Sequence, residues 1–294
     1  MTMDILEQGL WLPMSLVLGL LVGSFLNVVI YRVPEGLNRS WRTQAKQVLD
    51  LPLDEVDQQR FNIMTPPSHC PKCKSPVKPW QNIPVISYVL LKGQCKHCDQ
   101  TISKRYPLVE ILTGLVFACC AWKFGATWTA VASMLLSAYL IAMIFIDADT
   151  QLLPDQLTLP LMWAGIAFHL LAYLLQASWG ITTLVDSLMG AMVGYLSLWS
   201  IFQLFKLVTG KEGMGYGDFK LLAALGAWIG VSMLPIVIVM SALVGLLFAF
   251  IMKVSKTQPM PFGPYLAISG WLVLMFNQPI TQFVQWWLMK SGFA

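Results

Sequence analysis

Gly213-Met214-Gly215-Tyr216-Gly217-Asp218-Phe219-Lys220 runs directly into the apolar stretch Leu221-Leu222-Ala223-Ala224-Leu225-Gly226-Ala227-Trp228-Ile229-Gly230. Three glycines at alternate positions allow a tight bend and a close approach to another chain segment, because no Cβ intervenes. A carboxylate then stands at the mouth of a hydrophobic segment, where an ionised aspartate is costly. In a soluble protein Asp218 would read as a helix cap. In a membrane segment it reads as a functional group whose partner has to be found.

The rest of the chain decides between these two settings. Of 294 residues, 56% are hydrophobic and only 12% charged, and the mean hydropathy is +0.64. Those values place the chain among polytopic membrane proteins. The net charge is only +4, yet residues 32–105 hold 12 of the 19 Lys and Arg. A concentration of this kind is the positive-inside signature and sets topology; it gives little support to nucleic-acid binding. The N-terminal segment lacks the pattern of a cleavable signal.

In chain order, residues 9–31 form the first expected span, with Asp4 and Glu7 before it and Arg32 after it, so the N-terminus should face outward. Asn27 lies in its last third and needs a hydrogen-bond partner, either as helix–helix glue or as a substrate-facing group. Residues 35–66 read as a helical or irregular surface segment. Further spans are expected at about 106–122, 127–146, 157–176 and 185–207. A short, glycine-interrupted segment at 219–231 should line a cavity, and two more spans follow at about 233–252 and 262–277. Lys206, Lys211, Lys253 and Lys256 mark the inner side. Residues 280–290 read as an amphipathic interfacial tail. His169 stands alone in a span and reads as a packed interhelical residue.

Within the basic block, Cys70-Pro-Lys-Cys73 and Cys95-Lys-His-Cys98 are separated by 21 residues. Two such knuckles supply four thiolates, enough to close a tetrahedron around a structural zinc ion. A cytosolic location favours metal ligation over disulfides, and zinc over a thioredoxin-like site. His69 and His97 adjoin the ligands as spectators. Cys119 and Cys120 sit in an apolar run and read as small packing residues. Past the block, Arg105 stands at the membrane surface and Glu110 about one turn inside the next span. They form either an interfacial ion pair or a site for a cation on a substrate or cofactor.

Topology brings Asp147, at the end of the third span, to the same cytosolic face as Asp218. Two neighbouring carboxylates of low dielectric surroundings do not both ionise readily, so one holds a proton while the other acts as a base. That is the aspartic-protease arrangement. Asp149 and Asp155 compete with Asp147 for the first role. Asp155 suits a helix cap, and residue types alone favour Asp147 over Asp149 only modestly.

Taken together, Gly23-Ser-Phe-Leu-Asn27 with Tyr31-Arg32, the four cysteines, Arg105-Tyr-Pro-Leu-Val-Glu110, Asp147 with Leu153-Pro154-Asp155, and Gly215-Tyr-Gly-Asp218-Phe-Lys220 resemble the type IV prepilin leader peptidase family. The family comprises bifunctional membrane aspartic proteases and N-methyltransferases of bacterial pilus and type II secretion systems. The resemblance implies that Asp147 and Asp218 are the catalytic pair, Asp147 being the aspartate seven residues before the proline. It also implies cleavage of prepilin or pseudopilin leaders at the cytosolic face of the inner membrane, after glycine and before a phenylalanine or methionine, and methylation of the new amine from S-adenosylmethionine. No glycine-rich nucleotide loop marks a cofactor site. Candidates for methyl transfer are Glu110 for charge, Asn27 and Arg32 for positioning, and Gly93 for close backbone approach.

The expected architecture is therefore all-α and polytopic, with about eight transmembrane helices and a small cytosolic tetracysteine domain between the first two. Its parts are a first helix (1–31), a zinc-binding domain linked to methyl transfer (32–105), a peptidase domain (106–277) and an interfacial tail (278–294). Prepilin-type substrates and membrane lipid are the expected partners. A proton-coupled transporter would also place carboxylates in spans, but its relay should have stations across the bilayer. A zinc-knuckle scaffold would leave the Asp218 loop without purpose.

Overall fold

The computed structural model describes residues 2–54, 59–211, 213–253 and 260–291; Lys256 and the last three residues of the tail lie outside them. The helices are α1 (Thr2–Val48), the short α2 (Ile86–Leu90), α3 (Arg105–Phe124), α4 (Trp128–Thr150), α5 (Asp155–Leu174), α6 (Leu184–Thr209), α7 (Tyr216–Ile229), α8 (Leu234–Met252), α9 (Gly263–Met275) and α10 (Asn277–Ser291). Among the described residues, β structure is limited to two isolated bridges. Among the described residues, six helices are long and apolar enough to cross a membrane, and the shorter α9 is apolar as well. The protein is an all-α, multi-pass membrane protein with its tetracysteine block between the first two apolar helices.

The first apolar run ends near residue 31, but its helix does not. α1 continues through Pro34 to Val48. An interior proline removes one backbone hydrogen bond and crowds the preceding turn, and the helix continues beyond it. Part of the expected surface segment is therefore a direct extension of the membrane helix.

The chain divides into two compact units, Met1–Ala126 with Ser133–Ile146, and Thr127–Ala132 with Asp147–Ala294. In the first, α1 and α3 pack antiparallel at backbone contact. A Cβ on Gly19 would stand 2.7 Å from the Thr113 carbonyl, and one on Gly23 would stand 2.7 Å from Glu110 Cα. Small residues spaced by four let helices approach where lipid offers no hydrophobic driving force. Asn27 adds a polar tie, its side-chain amide donating to Gly23 O at 3.2 Å and across to Tyr106 O at 3.1 Å.

In the second unit α7 is the buried element. At 14 residues it is about 21 Å long, short of the roughly 30 Å hydrocarbon core, and residues 221–229 are all buried. α6 crosses it at Gly190 and Gly226, where a Cβ on either glycine would lie 2.1–2.2 Å from the other's carbonyl oxygen. The Ser187 hydroxyl donates to Ala227 O at 2.6 Å. On the α5 side, the Trp228 indole N–H donates to Leu161 O at 2.9 Å. Its ring lies against Gly165, where a Cβ would come within 2.9 Å of it. His169 is buried as a satisfied packing residue: Nδ1 lies 2.8 Å from Gly165 O, and Nε2 accepts the Thr182 N–H at 3.2 Å.

Candidate active site and metal centre

Asp147 lies in the last turn of α4. The helix stops four residues later because Gln151 takes the left-handed conformation (φ 54°) and returns its N–H to Asp147 O. Asp218 lies in the first turn of α7, its N–H bonded to Gly215 O at 3.2 Å. Both are buried, at 4% and 7% exposure, and the two carboxylates repel one another. Leu153 links their surroundings. A Cβ on Gly217, beside Asp218, would meet Leu153 Cβ at 2.7 Å. A Cβ on Gly263 would meet Leu153 Cδ1 at 3.0 Å and Asp147 Oδ2 at 2.6 Å.

The rival aspartates sit elsewhere. Asp149 is exposed. Asp155 is the first helical residue of α5, the cap position belonging to Pro154, and its Oδ1 pairs with Lys220 Nζ at 2.5 Å. The motif's own lysine thus fastens the start of α5 to the start of α7.

Two of the three glycines before Asp218 serve close approach. Only Gly125, Gly210, Gly230 and Gly93 have positive φ among the described glycines. Gly213 lies against the Phe205 ring and Gly217 against Leu153, while Gly215 has only the Asp218 carboxylate near it, at 3.9 Å. Phe202, Tyr216 and Phe219 pack with ring centroids 5.5 Å apart in each pairing, fixing the turn that carries Asp218.

A second constellation belongs to the first unit, where a cavity of about 870 Å³ is lined by Asn27, Arg32, Glu110 and aromatic residues including Phe61, Tyr88 and Tyr106. That size is within the range of small-molecule sites. Glu110 is 7% exposed. Its Oε2 accepts the Val85 N–H at 2.8 Å. Val85 has φ 58°, a conformation rare for a β-branched residue, so the Glu110 contact anchors a strained point of backbone. Arg32 donates from Nη1 to Asn62 O (3.1 Å) and Ile63 O (3.3 Å). Arg39 stacks on Phe61 at 4.1 Å. Gly93 is not in the cavity wall; its φ is +68° and a Cβ there would stand 2.9 Å from the Tyr88 hydroxyl, so it lets a lining residue settle.

The four expected thiolates converge, with all four sulfurs within 4.8 Å of one another. Cys70 and Cys98 are 3.7 Å apart, Cys73 and Cys95 4.0 Å. A zinc tetrahedron with 2.3 Å bonds has sulfur–sulfur edges of about 3.8 Å, so the donor set fits one zinc ion. The two knuckles repeat the same backbone. Cys70 N–H bonds to Ser75 O and Cys95 N–H to Gln100 O, both at 2.9 Å; Lys74 N–H returns to Cys70 O and Asp99 N–H to Cys95 O, both at 3.0 Å. Lys74 and Asp99 take matching left-handed turns at φ 58° and 53°. The Cys73 Sγ lies 3.2 Å from the Ser75 hydroxyl, to which it donates. His69 and His97 are exposed.

Several site residues were not anticipated from the sequence. Phe61 and Arg39 carry no motif and reach the cavity only through the fold. Gly263 had a local signal, the Pro261-Phe262-Gly263-Pro264 run opening an apolar helix, but nothing in it points to Asp147.

Comparison with known proteins identifies relatives of this chain. Residues 17–124 match the bacterial peptidase A24 N-terminal domain, and residues 134–250 match the type IV leader peptidase family. A prepilin leader peptidase/N-methyltransferase of Neisseria gonorrhoeae is 50% identical over 276 residues, 94% of each chain. One from Pseudomonas aeruginosa is 51% identical over 273 residues, 91% of each chain. Another, from Aeromonas salmonicida, is 49% identical over 292 residues, 96% of this chain and 97% of that one. No solved structure matches. With two family domains in sequence order and half its residues shared with these relatives over nearly full length, the chain belongs to the type IV leader peptidase family.

Proposed function

We propose that this protein removes the leader peptide of type IV prepilins or type II secretion pseudopilins and then N-methylates the exposed terminus. One observation carries the peptidase half: the buried Asp147 and Asp218 at the ends of two helices, with Leu153 against both Gly217 and Gly263 beside them. One carboxylate takes a proton from water as its oxygen attacks the scissile carbonyl; the other carboxylic acid protonates the departing amide nitrogen. The family resemblance supports cleavage after glycine and before phenylalanine or methionine. The positive-inside distribution supports a bacterial inner-membrane protein with its N-terminus in the periplasm and this pair at the cytosolic face. A relay of protons across the bilayer would not place both carboxylates where each feels the charge of the other.

S-adenosylmethionine supplies the methyl group for the second step. The cavity of the first unit supports a place for it, and with it a link between the block 32–105 and methyl transfer. Glu110 presents a buried carboxylate suited to an amine or sulfonium, while Asn27 and Arg32 shape the wall. Gly93 contributes by seating Tyr88. Cys70, Cys73, Cys95 and Cys98 hold the zinc that fixes the block.

Cleavage of a prepilin in liposomes by Asp147→Asn, Asp149→Asn and Asp218→Asn protein tests the peptidase reading. Loss of cleavage at 147 and 218, with 149 active, is expected. Normal cleavage by all three would refute the reading.

A further inference from the structure

We propose that Gly263 is the positioning residue for Asp147: its main-chain N–H holds the carboxyl group, and its missing side chain leaves the space in which Oδ2 stands. This rests on the reading that Asp147 serves in cleavage.

Three observations carry the proposal. The Gly263 N–H donates to the Asp147 carboxyl. A Cβ at this position would stand 2.6 Å from Oδ2 and 3.2 Å from Cγ, so any side chain displaces the carboxyl itself. Among the described residues, Oδ2 has no hydrogen-bond partner although Asp147 is buried. A buried carboxylate oxygen without a partner is exceptional and calls for an explanation.

The start of α9 is built to leave one donor for this purpose. The Phe262 carbonyl takes the N–H groups of Tyr265 and Leu266. Pro264, in the first turn, has none. Gly263 therefore presents the N–H that opens the helix, and the positive end of the helix dipole stands behind it. A carboxyl gripped from this side keeps the lone pairs of Oδ2 for the attacking water. As the water oxygen bonds to the scissile carbonyl carbon, its O–H bond breaks and the proton passes to Oδ2. Asp218 gives its proton to the departing nitrogen. Gly263 lies beyond the residues matched by the leader peptidase family.

The test compares wild type, Gly263→Ala, Leu153→Ala, the Gly263→Ala/Leu153→Ala double variant and Asp147→Asn in liposomes. Each is assayed for leader cleavage and for methylation of an already cleaved pilin peptide. The expected result for Gly263→Ala is a kcat for cleavage about 100-fold lower, the cost of moving a reacting group by about 1 Å. KM should stay within about twofold, and methylation should be retained. The added methyl also touches Leu153 Cδ1, at 3.0 Å, so the double variant separates the two contacts. If the defect is displacement of Asp147, the double variant inserts normally yet cleaves about 100-fold more slowly than Leu153→Ala alone. If removing Leu153 restores cleavage to the level of Leu153→Ala, crowding was the cause and the proposal is overturned. Cleavage by Gly263→Ala within about threefold of wild type also overturns it. Full activity of Asp147→Asn would instead sink the underlying catalytic reading, an outcome distinct from an inactive Asp147→Asn beside a normal Gly263→Ala.

Discussion

Replacing Gly226 by alanine should damage the peptidase from a distance. The new Cβ would stand 2.1 Å from Gly190 O and 2.5 Å from Gly190 C, both backbone atoms that cannot swing aside. Ordinary contact begins near 3.4 Å, so α6 and α7 must separate locally by about 1 Å. Overpacking of a close-packed interface costs about 1–3 kcal/mol, and the shift also lengthens the 2.6 Å bond from Ser187 to Ala227 O. Gly226 lies eight residues along α7 from Asp218, about 12 Å at 1.5 Å per residue. A rigid helix carries part of the displacement to the carboxylate, where 1 Å of misplacement is worth about a hundredfold in rate. Thermal unfolding in detergent and leader cleavage in liposomes read the two effects. Gly9→Ala is the control, because nothing lies within 4 Å of its Cβ and its φ is not positive. Wild-type stability and cleavage in Gly226→Ala would refute the claim that backbone contact at this crossing holds α7 in place.

Other expectations follow from single contacts. Cys95→Ser should lower the zinc content below one ion per chain and destabilise the block between α1 and α3; elemental analysis showing full zinc would contradict the tetrathiolate site. Glu110→Gln keeps an acceptor for the Val85 N–H but removes the charge, so mass spectrometry should find cleaved, unmethylated pilin; normal methylation would remove Glu110 from the site. Trp228→Phe loses the indole bond to Leu161 O and should cost about 1 kcal/mol, seen as a lower unfolding temperature with cleavage retained; an unchanged unfolding temperature would mean the bond adds nothing.

The class of this protein and its chemistry were legible in the sequence because they rest on local properties. Apolar runs of about twenty residues mark spans by composition alone. Paired CxxC knuckles point to a metal site because their short loops fix ligand spacing, and the four sulfurs come within 4.8 Å of one another. The apolar run around residue 31 marked where polarity begins. It could not mark where α1 ends, because backbone hydrogen bonding continues past Pro34. Residue types likewise left Asp147, Asp149 and Asp155 close rivals. Burial of the first, exposure of the second and the Lys220 pairing of the third are properties of packing.

What only the tertiary structure decided concerns residues far apart in the chain. Glycines 19 and 23 on α1, 190 on α6, 226 on α7 and 263 on α9 look alike in sequence, yet each meets a different neighbour. One admits a helix backbone and another a carboxylate, because which atoms fill the space of a missing Cβ is set by the partner helix. The cavity of Asn27, Arg32, Phe61 and Glu110 assembles from α1, α3 and the block between them, and no local pattern announces it. The sequence by itself determined the apolar helices, the four cysteines able to hold a metal and the aspartates available for catalysis. Helix packing determined which carboxylate is buried, which glycine stands against it and which polar side chains share a cavity, since these depend on contacts between segments whose separation along the chain carries no periodic signal.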